Sequence, residues 1–282
     1  MSENSADPIA IALLEDIGAG DVTTQFFVPY QAQGYGRIIA REACVIAGTE
    51  TAAEVFRHVD PNLHVDLLQS DGTTLTAGET LLEIRGPAAS ILTAERVALN
   101  FLQRLSGIAT ITRQFVEAIG EHPAKILDTR KTTPGLRALE KAAVVAGGGT
   151  SHRFGLYDMV LVKDNHLSAG VEFSAFAETI QQLRKQRPGL RIEVEADNLE
   201  QVRTVLEIAG VDVILLDNMK PAEMREAVAL GKKKIKFEAS GGVTLKNVRR
   251  IAATGVDYIS VGALTHSARA IDLSLELTYA AA

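Results

Sequence analysis

Five side chains between Lys125 and His166 can carry positive charge: Arg130, Lys131, His152, Arg153 and Lys163. Each comes just past a predicted strand or a glycine stop. Cations scattered along a helix face would be solvated surface. Cations at the ends of parallel strands share one rim and converge. Carboxylates follow in the same manner, with Glu193, Glu195 and Asp197 after one predicted strand and Asp217 with Asn218 after the next. Small residues close the series: Glu238 and Ser240 with Gly241-Gly242, then Gly262-Ala263 with His266. Such a set suits a ligand with several anionic ends. Arg130 and Arg153 can grip carboxylates bidentately, and Lys131 and Lys163 act as point charges. Glu195 and Asp217 can hold Mg²⁺, directly or through water, or hold ribose hydroxyls. The glycine loops free backbone N–H groups for a phosphate. A Schiff-base lysine at Lys163 is the chemical rival. An amine set among Arg130, Lys131 and Arg153 more naturally binds anions.

The elements that must place these groups alternate strictly. The pattern predicts strands over 125–127, 159–162, 191–195, 212–216, 234–238 and 257–261. Amphipathic helices lie between them, with Ser174, Asn198, Pro221 and Thr244 as start signals and Pro188, Gly210, Gly231 and Gly255 as stops. Alternating β and α means a parallel sheet with helices outside. Six or seven such units predict a closed or nearly closed barrel; an open doubly wound sheet is the structural competitor. No GxGxxG follows a first strand, so its dinucleotide-binding form loses support. Polar residues end all six strands, including Asp128 on the first and Asp164, Asn165 and His166 on the second. Asp197, Asn198 and Asn218 are read as helix caps, but capping alone does not explain six strand ends in a row.

The totals narrow the partner. The chain has 282 residues with 46% apolar side chains, enough for two domains and a large core. A net charge of −6 argues against a nucleic-acid partner and makes a local cationic cluster more telling. The single cysteine, Cys44, excludes an internal disulfide and fits a reducing compartment. No signal-peptide pattern or membrane-length apolar run occurs, so a cytoplasmic protein is expected.

The first hundred residues read differently. A short helix is expected over Ile9 to Leu14, ending near Gly18, and a loop over Asp16 to Thr24. A strand is expected from Gly36 to Ile46, then a helix ending at Asp60-Pro61. Three short strands follow between His64 and Arg85, set apart by Asp71-Gly72 and Ala77-Gly78. Their spacing is like that of small biotinyl carriers, but no lysine lies between Asp71 and Gly86. A long helix capped by Thr93 comes next, interrupted at Ser106-Gly107. Arg96 and Arg104 lie on it, and spacing alone makes Arg96 a solvated side chain.

The run DTRKTTPGLRALEKAAVVAGGGTSHRFGLYDMVLVKDNH closely resembles the quinolinate phosphoribosyltransferase family, the carboxylating nicotinate-nucleotide pyrophosphorylases. The resemblance continues in EDIGAGDVTT, AERVALNFLQRLSGIAT, EVEADNLEQ, LLDNM, EASGGV and GVDYISVGALTHS, in order along the chain. It implies an N-terminal α/β sandwich domain over 1–113 joined to an incomplete parallel α/β (TIM-like) barrel of six or seven strands over 114–267. The segment 268–282 would return to the first domain. It implies transfer of phosphoribosyl from phosphoribosyl pyrophosphate to quinolinate, with Mg²⁺, giving nicotinate mononucleotide, pyrophosphate and CO₂ for NAD biosynthesis. The quinolinate pocket would comprise Arg130, Lys131, His152, Arg153 and Lys163. In a homodimer, or a larger assembly, Arg96 would reach in from the partner. Glu195 and Asp217 would be the ribose and metal carboxylates. Ser240, Gly241, Gly242, Gly262, Ala263 and His266 would form the phosphate end. The rivals are the related protein of molybdate-transport operons, a nicotinate phosphoribosyltransferase without decarboxylation, and a non-catalytic anion binder of the same fold.

Overall fold

The computed structural model describes residues 7–163, 173–231 and 234–279, without the side chains of 173 and 174. Asp164, Asn165 and His166, and the side chain of the expected cap Ser174, lie outside what is described. The chain divides into two compact units. One is built from Met1–Arg113, Thr132–Gly148 and Ser267–Ala282, the other from Gln114–Lys131 and Gly149–His266.

The first unit is a sheet covered by helices. Strands β1 (Gln33–Ala40), β3 (His64–Leu67), β5 (Thr80–Pro87) and β12 (Leu273–Tyr279) form one antiparallel sheet in the order β12-β1-β5-β3. A small pair, β2 (Cys44–Val45) and β4 (Thr74–Leu75), stands beside it. Alternation decides the faces. Ile38, Leu82 and Ile84 are fully buried, while neighbouring Arg37 and Arg85 lie outside with Glu83, Asp66 and Glu276 in surface ion pairs. The inner face packs in one apolar cluster with Ala52, Val55 and Phe56 of helix α3 (Thr49–Val59) and with Ile91, Ala98 and Leu102 of helix α4 (Ala88–Ala118).

Several expectations change here. The Asp16–Thr24 loop gives way to a short helix α2 (Val22–Phe27), following α1 (Pro8–Ile17), because Asp21 accepts from the backbone N–H of Thr24 at 2.9 Å and caps it. Thr93 is not a cap. Helix α4 already starts at Ala88, and the Thr93 hydroxyl donates to Asp21 at 3.1 Å. Nor do Ser106 and Gly107 break α4. Ser106 Oγ accepts from Ala47 N at 3.1 Å, and a side chain at Gly107 would overlap the carbonyl of Arg269. The pair marks close packing inside an unbroken helix. The strand expected from Gly36 to Ile46 stops at Ala40, where Arg41 N donates to Asp272 O at 3.0 Å and the chain turns. Helix α5 (Arg137–Ala146), drawn into the barrel by the sequence boundaries, clusters with the first unit. Leu136 and Leu139 pack on its core, and the buried Glu140 carboxylate accepts from Arg104 at 2.9 Å and from Thr133 at 2.7 Å.

The second unit carries six parallel strands. They are β6 (Lys125–Leu127), β7 (Val160–Val162), β8 (Ile192–Ala196), β9 (Val213–Asp217), β10 (Lys236–Ser240) and β11 (Tyr258–Ser260), in the order β6-β11-β10-β9-β8-β7. Thr150 makes an isolated parallel bridge to Leu127 on the free side of β6. The expected strands are all present, shifted by up to two residues. Helices α6 (Phe173–Gln186), α7 (Leu199–Leu206), α8 (Pro221–Gly231), α9 (Val248–Ala252) and α10 (Ala263–His266) follow β7 to β11 in turn. Asn198 caps α7 by accepting from Gln201 N at 3.0 Å, as expected. Thr244 does not cap α9, whose cap residue is Asn247. No described helix is long and apolar enough to cross a membrane.

The turn after β1 is tied to the chain just before β12 by one carboxylate. Glu42 accepts from both Arg269 terminal nitrogens and from Asp272 N. The bond from Arg269, then the one from Asp272, pull the Glu42 carboxyl down from 4.5 to about 2. A depressed carboxylate contributes stability that is present above about pH 4.5 and lost as the pH falls toward about 2. Glu42→Gln therefore flattens the dependence of the thermal midpoint on pH across that window, measured by circular dichroism melts. An unchanged slope counts against this role for the tie.

Candidate functional site

The strand ends of the second unit surround a cavity of about 760 Å³. Its walls include Arg130, Lys131, His152, Arg153 and Lys163, then Glu195 and Asp217, then Ser240, Gly241, Gly242, Gly262, Ala263 and His266. All are residues singled out from the sequence, and parallel strands bring them to one rim. Arg96 belongs to the first unit, exposed on α4, and is not among the lining residues.

The cationic side is crowded. Burial first, then the nearby charge of Arg130, lowers the Arg153 pKa from the usual arginine value. Arg130 Nε is buried without a hydrogen-bond partner among the described residues. Two guanidiniums that repel each other, one with an unused donor, suit an anion between them. Lys163 Nζ pairs with Glu195 at 2.7 Å, across to β8. Lys131 runs beside Gly262, where an added Cβ would meet Lys131 Cδ and His266 Nε2 at 3.2 Å. Thr265 Oγ1 donates to the Lys131 carbonyl at 2.8 Å and fixes that turn.

The carboxylate side has one more member than expected. Oxygens of Glu195, Asp197 and Asp217 lie within 4.8 Å of one another. Asp197 had been read as a cap; the cap is its neighbour Asn198, and the Asp197 carboxylate joins this group. Three hard oxygen donors fit a Mg²⁺ ion that keeps several waters. Asn218 is not a cap either. It sits at φ 53, the sole non-glycine residue with positive φ among those described, and its Nδ2 donates to Asp217 Oδ2 at 2.7 Å. Its backbone N–H donates to Ser240 O at 2.9 Å. Gly241, at φ 93, packs so tightly on Asn218 that any side chain would overlap it.

A third group was not anticipated as a unit. His152 Nε2 lies 3.1 Å from Glu193 Oε2 and 3.4 Å from Glu238 Oε2, and both carboxylates are 1% exposed. Ser260 Oγ also donates to Glu238. Burial opposes protonation of His152, but the hydrogen bonds and charges of Glu193 and Glu238 overcome it and raise its pKa. Burial in turn pushes Glu193 up to about 7. His152 and Glu193 are therefore linked in their protonation. His152 Nδ1 accepts the backbone N–H of Arg153 at 2.7 Å, which a protonated nitrogen cannot do. That contact belongs to the neutral ring, whose one N–H is on Nε2 facing the carboxylates; a second proton, on Nδ1, would break it. The spacing in Glu193-Val194-Glu195 carried the missed signal, since residues two apart on a strand share a face. Asp128, read as a rim residue, is fully buried and lines the cavity, where it accepts from His152 N at 2.8 Å and holds the loop.

Fold and rim together define a parallel α/β-barrel protein whose strand ends line one cavity with cations, carboxylates and glycine loops. The family models for the N-terminal and C-terminal domains of quinolinate phosphoribosyl transferase match residues 21–106 and 108–276. The chain belongs to the quinolinate phosphoribosyltransferase family. It is 46% identical over 266 residues to the probable nicotinate-nucleotide pyrophosphorylase (carboxylating) of Bacillus subtilis, covering 94% of this chain and 90% of that one. It is 44% identical over 283 residues to quinolinate phosphoribosyltransferase (decarboxylating) 2, mitochondrial, of Nicotiana glauca, covering 95% and 80%. The crystal structure of NadC from Streptococcus pyogenes matches at a TM-score of 0.90 and 40% identity, over 97% of this chain and 96% of that one.

Gly241→Ala tests the tight joint at the carboxylate side. The strained φ and the overlap with Asn218 are expected to cost ~1–3 kcal/mol in a urea melt. Gly189, with nothing within 4 Å of an added Cβ, provides the control: Gly189→Ala is expected to change little.

Proposed function

We propose that this chain transfers the phosphoribosyl group of phosphoribosyl pyrophosphate to quinolinate and decarboxylates the product, giving nicotinate mononucleotide, pyrophosphate and CO₂ in NAD biosynthesis. The observation that carries this reading is one cavity with cations on one wall, carboxylates on the next and glycine loops on the third. Quinolinate is a dicarboxylate, and Arg130, Arg153 and Lys131 suit its two carboxylates. Ser240, Gly241, Gly242, Gly262, Ala263 and His266 suit the phosphate of the sugar.

Glu195 and Asp217 would grip the ribose near its anomeric carbon and stabilise positive charge there as the bond to pyrophosphate breaks. The lone pair of the pyridine nitrogen becomes the new bond to that carbon, which leaves the ring nitrogen positively charged. The carbon–carbon bond to the adjacent carboxylate then breaks. CO₂ leaves, and the electron pair remains on the ring carbon, eased by the positive nitrogen and by Lys131 or Lys163 until a proton arrives. Glu195 already engages Lys163, so that lysine is held in place, while Lys131 is exposed at the opening. Glu195, Asp197 and Asp217 would hold Mg²⁺, which when bound supplies positive charge against the pyrophosphate.

The reading extends to a homodimer in which Arg96 of one subunit serves the rim of the other, and to a cytoplasmic enzyme. Exposed Arg96 on α4 and the free, buried Cys44 support these two points.

The test is a turnover assay with phosphoribosyl pyrophosphate and Mg²⁺, offering quinolinate and nicotinate separately. Nucleotide and CO₂ in equal amounts from quinolinate alone are expected, and product from nicotinate overturns the reading. Lys131→Ala and Lys163→Ala are each expected to lower kcat/KM at least ~100-fold. Mixing inactive Arg96→Ala with inactive Lys163→Ala should restore activity, since mixed dimers carry one intact site. Mixtures that exchange subunits yet stay inactive rule out the shared rim.

A further inference from the structure

The buried set beneath the cationic wall has no part in the chemistry above. In a filled α/β barrel, alternate strands contribute side chains to one interior layer, and those side chains are usually branched and apolar. Here β8 and β10, the two neighbours of β9, bring Glu193 and Glu238 together, and Asp128 stands just past β6. All three are at most 1% exposed. Burying carboxylates is costly unless they are fully bonded; among the described residues Glu193 Oε1 has no hydrogen-bond partner, and Glu238 Oε2 has only the 3.4 Å approach of His152 Nε2. An apolar layer would fill the same space at no such cost, so the layer has another use.

Its use is legible in what it touches. The loop Ser151-His152-Arg153 is held at three points. Asp128 accepts from the His152 backbone N–H at 2.8 Å, the two glutamates meet Nε2, and Nδ1 takes the Arg153 backbone N–H at 2.7 Å. We propose that Glu193 and Glu238 are positioning residues: they grip the Nε2 edge of His152, so that its Nδ1 edge fixes the main chain of Arg153 and aims that guanidinium into the cavity. Coulomb attraction between Glu193 and Arg153 acts in the same direction as this grip.

This inference rests on the reading of the cavity as a quinolinate site, and its test separates the two. Glu193→Gln, Glu238→Gln and the double variant keep side-chain volume. Initial rates of the full-length enzyme are measured with quinolinate and phosphoribosyl pyrophosphate varied in turn. The double variant is expected to raise KM for quinolinate ~10-fold while KM for phosphoribosyl pyrophosphate stays within ~2-fold, as misaiming one clamp would. His152→Asn, which retains an acceptor for the Arg153 N–H, is expected to lose less than His152→Ala. A uniform fall in kcat with both KM values unchanged, or no change at all, overturns the proposal. A second measurement needs no turnover. In ¹⁵N-histidine-labelled wild-type protein, His152 is identified by its absence in His152→Asn. Its ring shifts should report Nδ1 as an unprotonated acceptor and Nε2 as N–H, and the double variant should lose that pattern. A protonated Nδ1 in unliganded wild type overturns the brace. If quinolinate is not turned over but the ring pattern holds, the functional reading fails and the brace stands.

Discussion

Like charges must be kept together in water before their ligand arrives, and this constraint governs the second unit. Burial and then the charge of Arg130 lower the Arg153 pKa, and Lys131 and Lys163 share the same cavity. In an acidic chain the obvious solution, counter-ions from solvent, would have to be stripped off at every binding event. The barrel supplies fixed ones instead. Glu195 meets Lys163 at the rim, and the buried Glu193 and Glu238 meet His152. The parallel sheet makes this possible because neighbouring strand ends are ~5 Å apart and point the same way.

The backbone obeys the same logic on the opposite wall. Asn218 adopts a left-handed conformation, which asparagine tolerates better than most residues. Its side chain holds Asp217 and its backbone holds Ser240. Gly241 follows with no room for a Cβ. A carboxylate and a glycine loop on adjacent strands are thus locked into one rigid corner. Precision here comes from short polar contacts rather than from apolar packing.

The second unit was legible because its periodicity is unambiguous. Six apolar strands separated by amphipathic helices could be placed within two residues, and the polar strand ends followed. The first unit was harder to read. Thr93 and Ser106-Gly107 have the chemistry of caps and breaks, but tertiary partners, Asp21, Ala47 and Arg269, use those residues for packing instead. Asp197 and Asn218 failed as caps for the same reason, since each met a neighbour that no local window contains. Helix α5 was drawn into the barrel because sequence order carries no record of Glu140 binding Arg104, 36 residues upstream. The Glu193–His152–Glu238 set needed knowledge that β8 and β10 flank the same strand, which pattern alone does not provide.

The antiparallel sheet of the first unit has a consequence for how the chain comes off the ribosome. Strand β1 pairs with β12 over seven residues, from Gly34 with Tyr279 to Ala40 with Leu273. Between these partners lies the whole second unit. During synthesis every strand of the barrel has emerged before β12 exists, so β1 must wait with one edge unpaired. Its exposed N–H and C=O groups are then a template for another strand, including one from a neighbouring nascent chain. The outward-facing charges of Arg37 and Arg41 stand on and just past that edge, where they would discourage such pairing until the proper strand arrives.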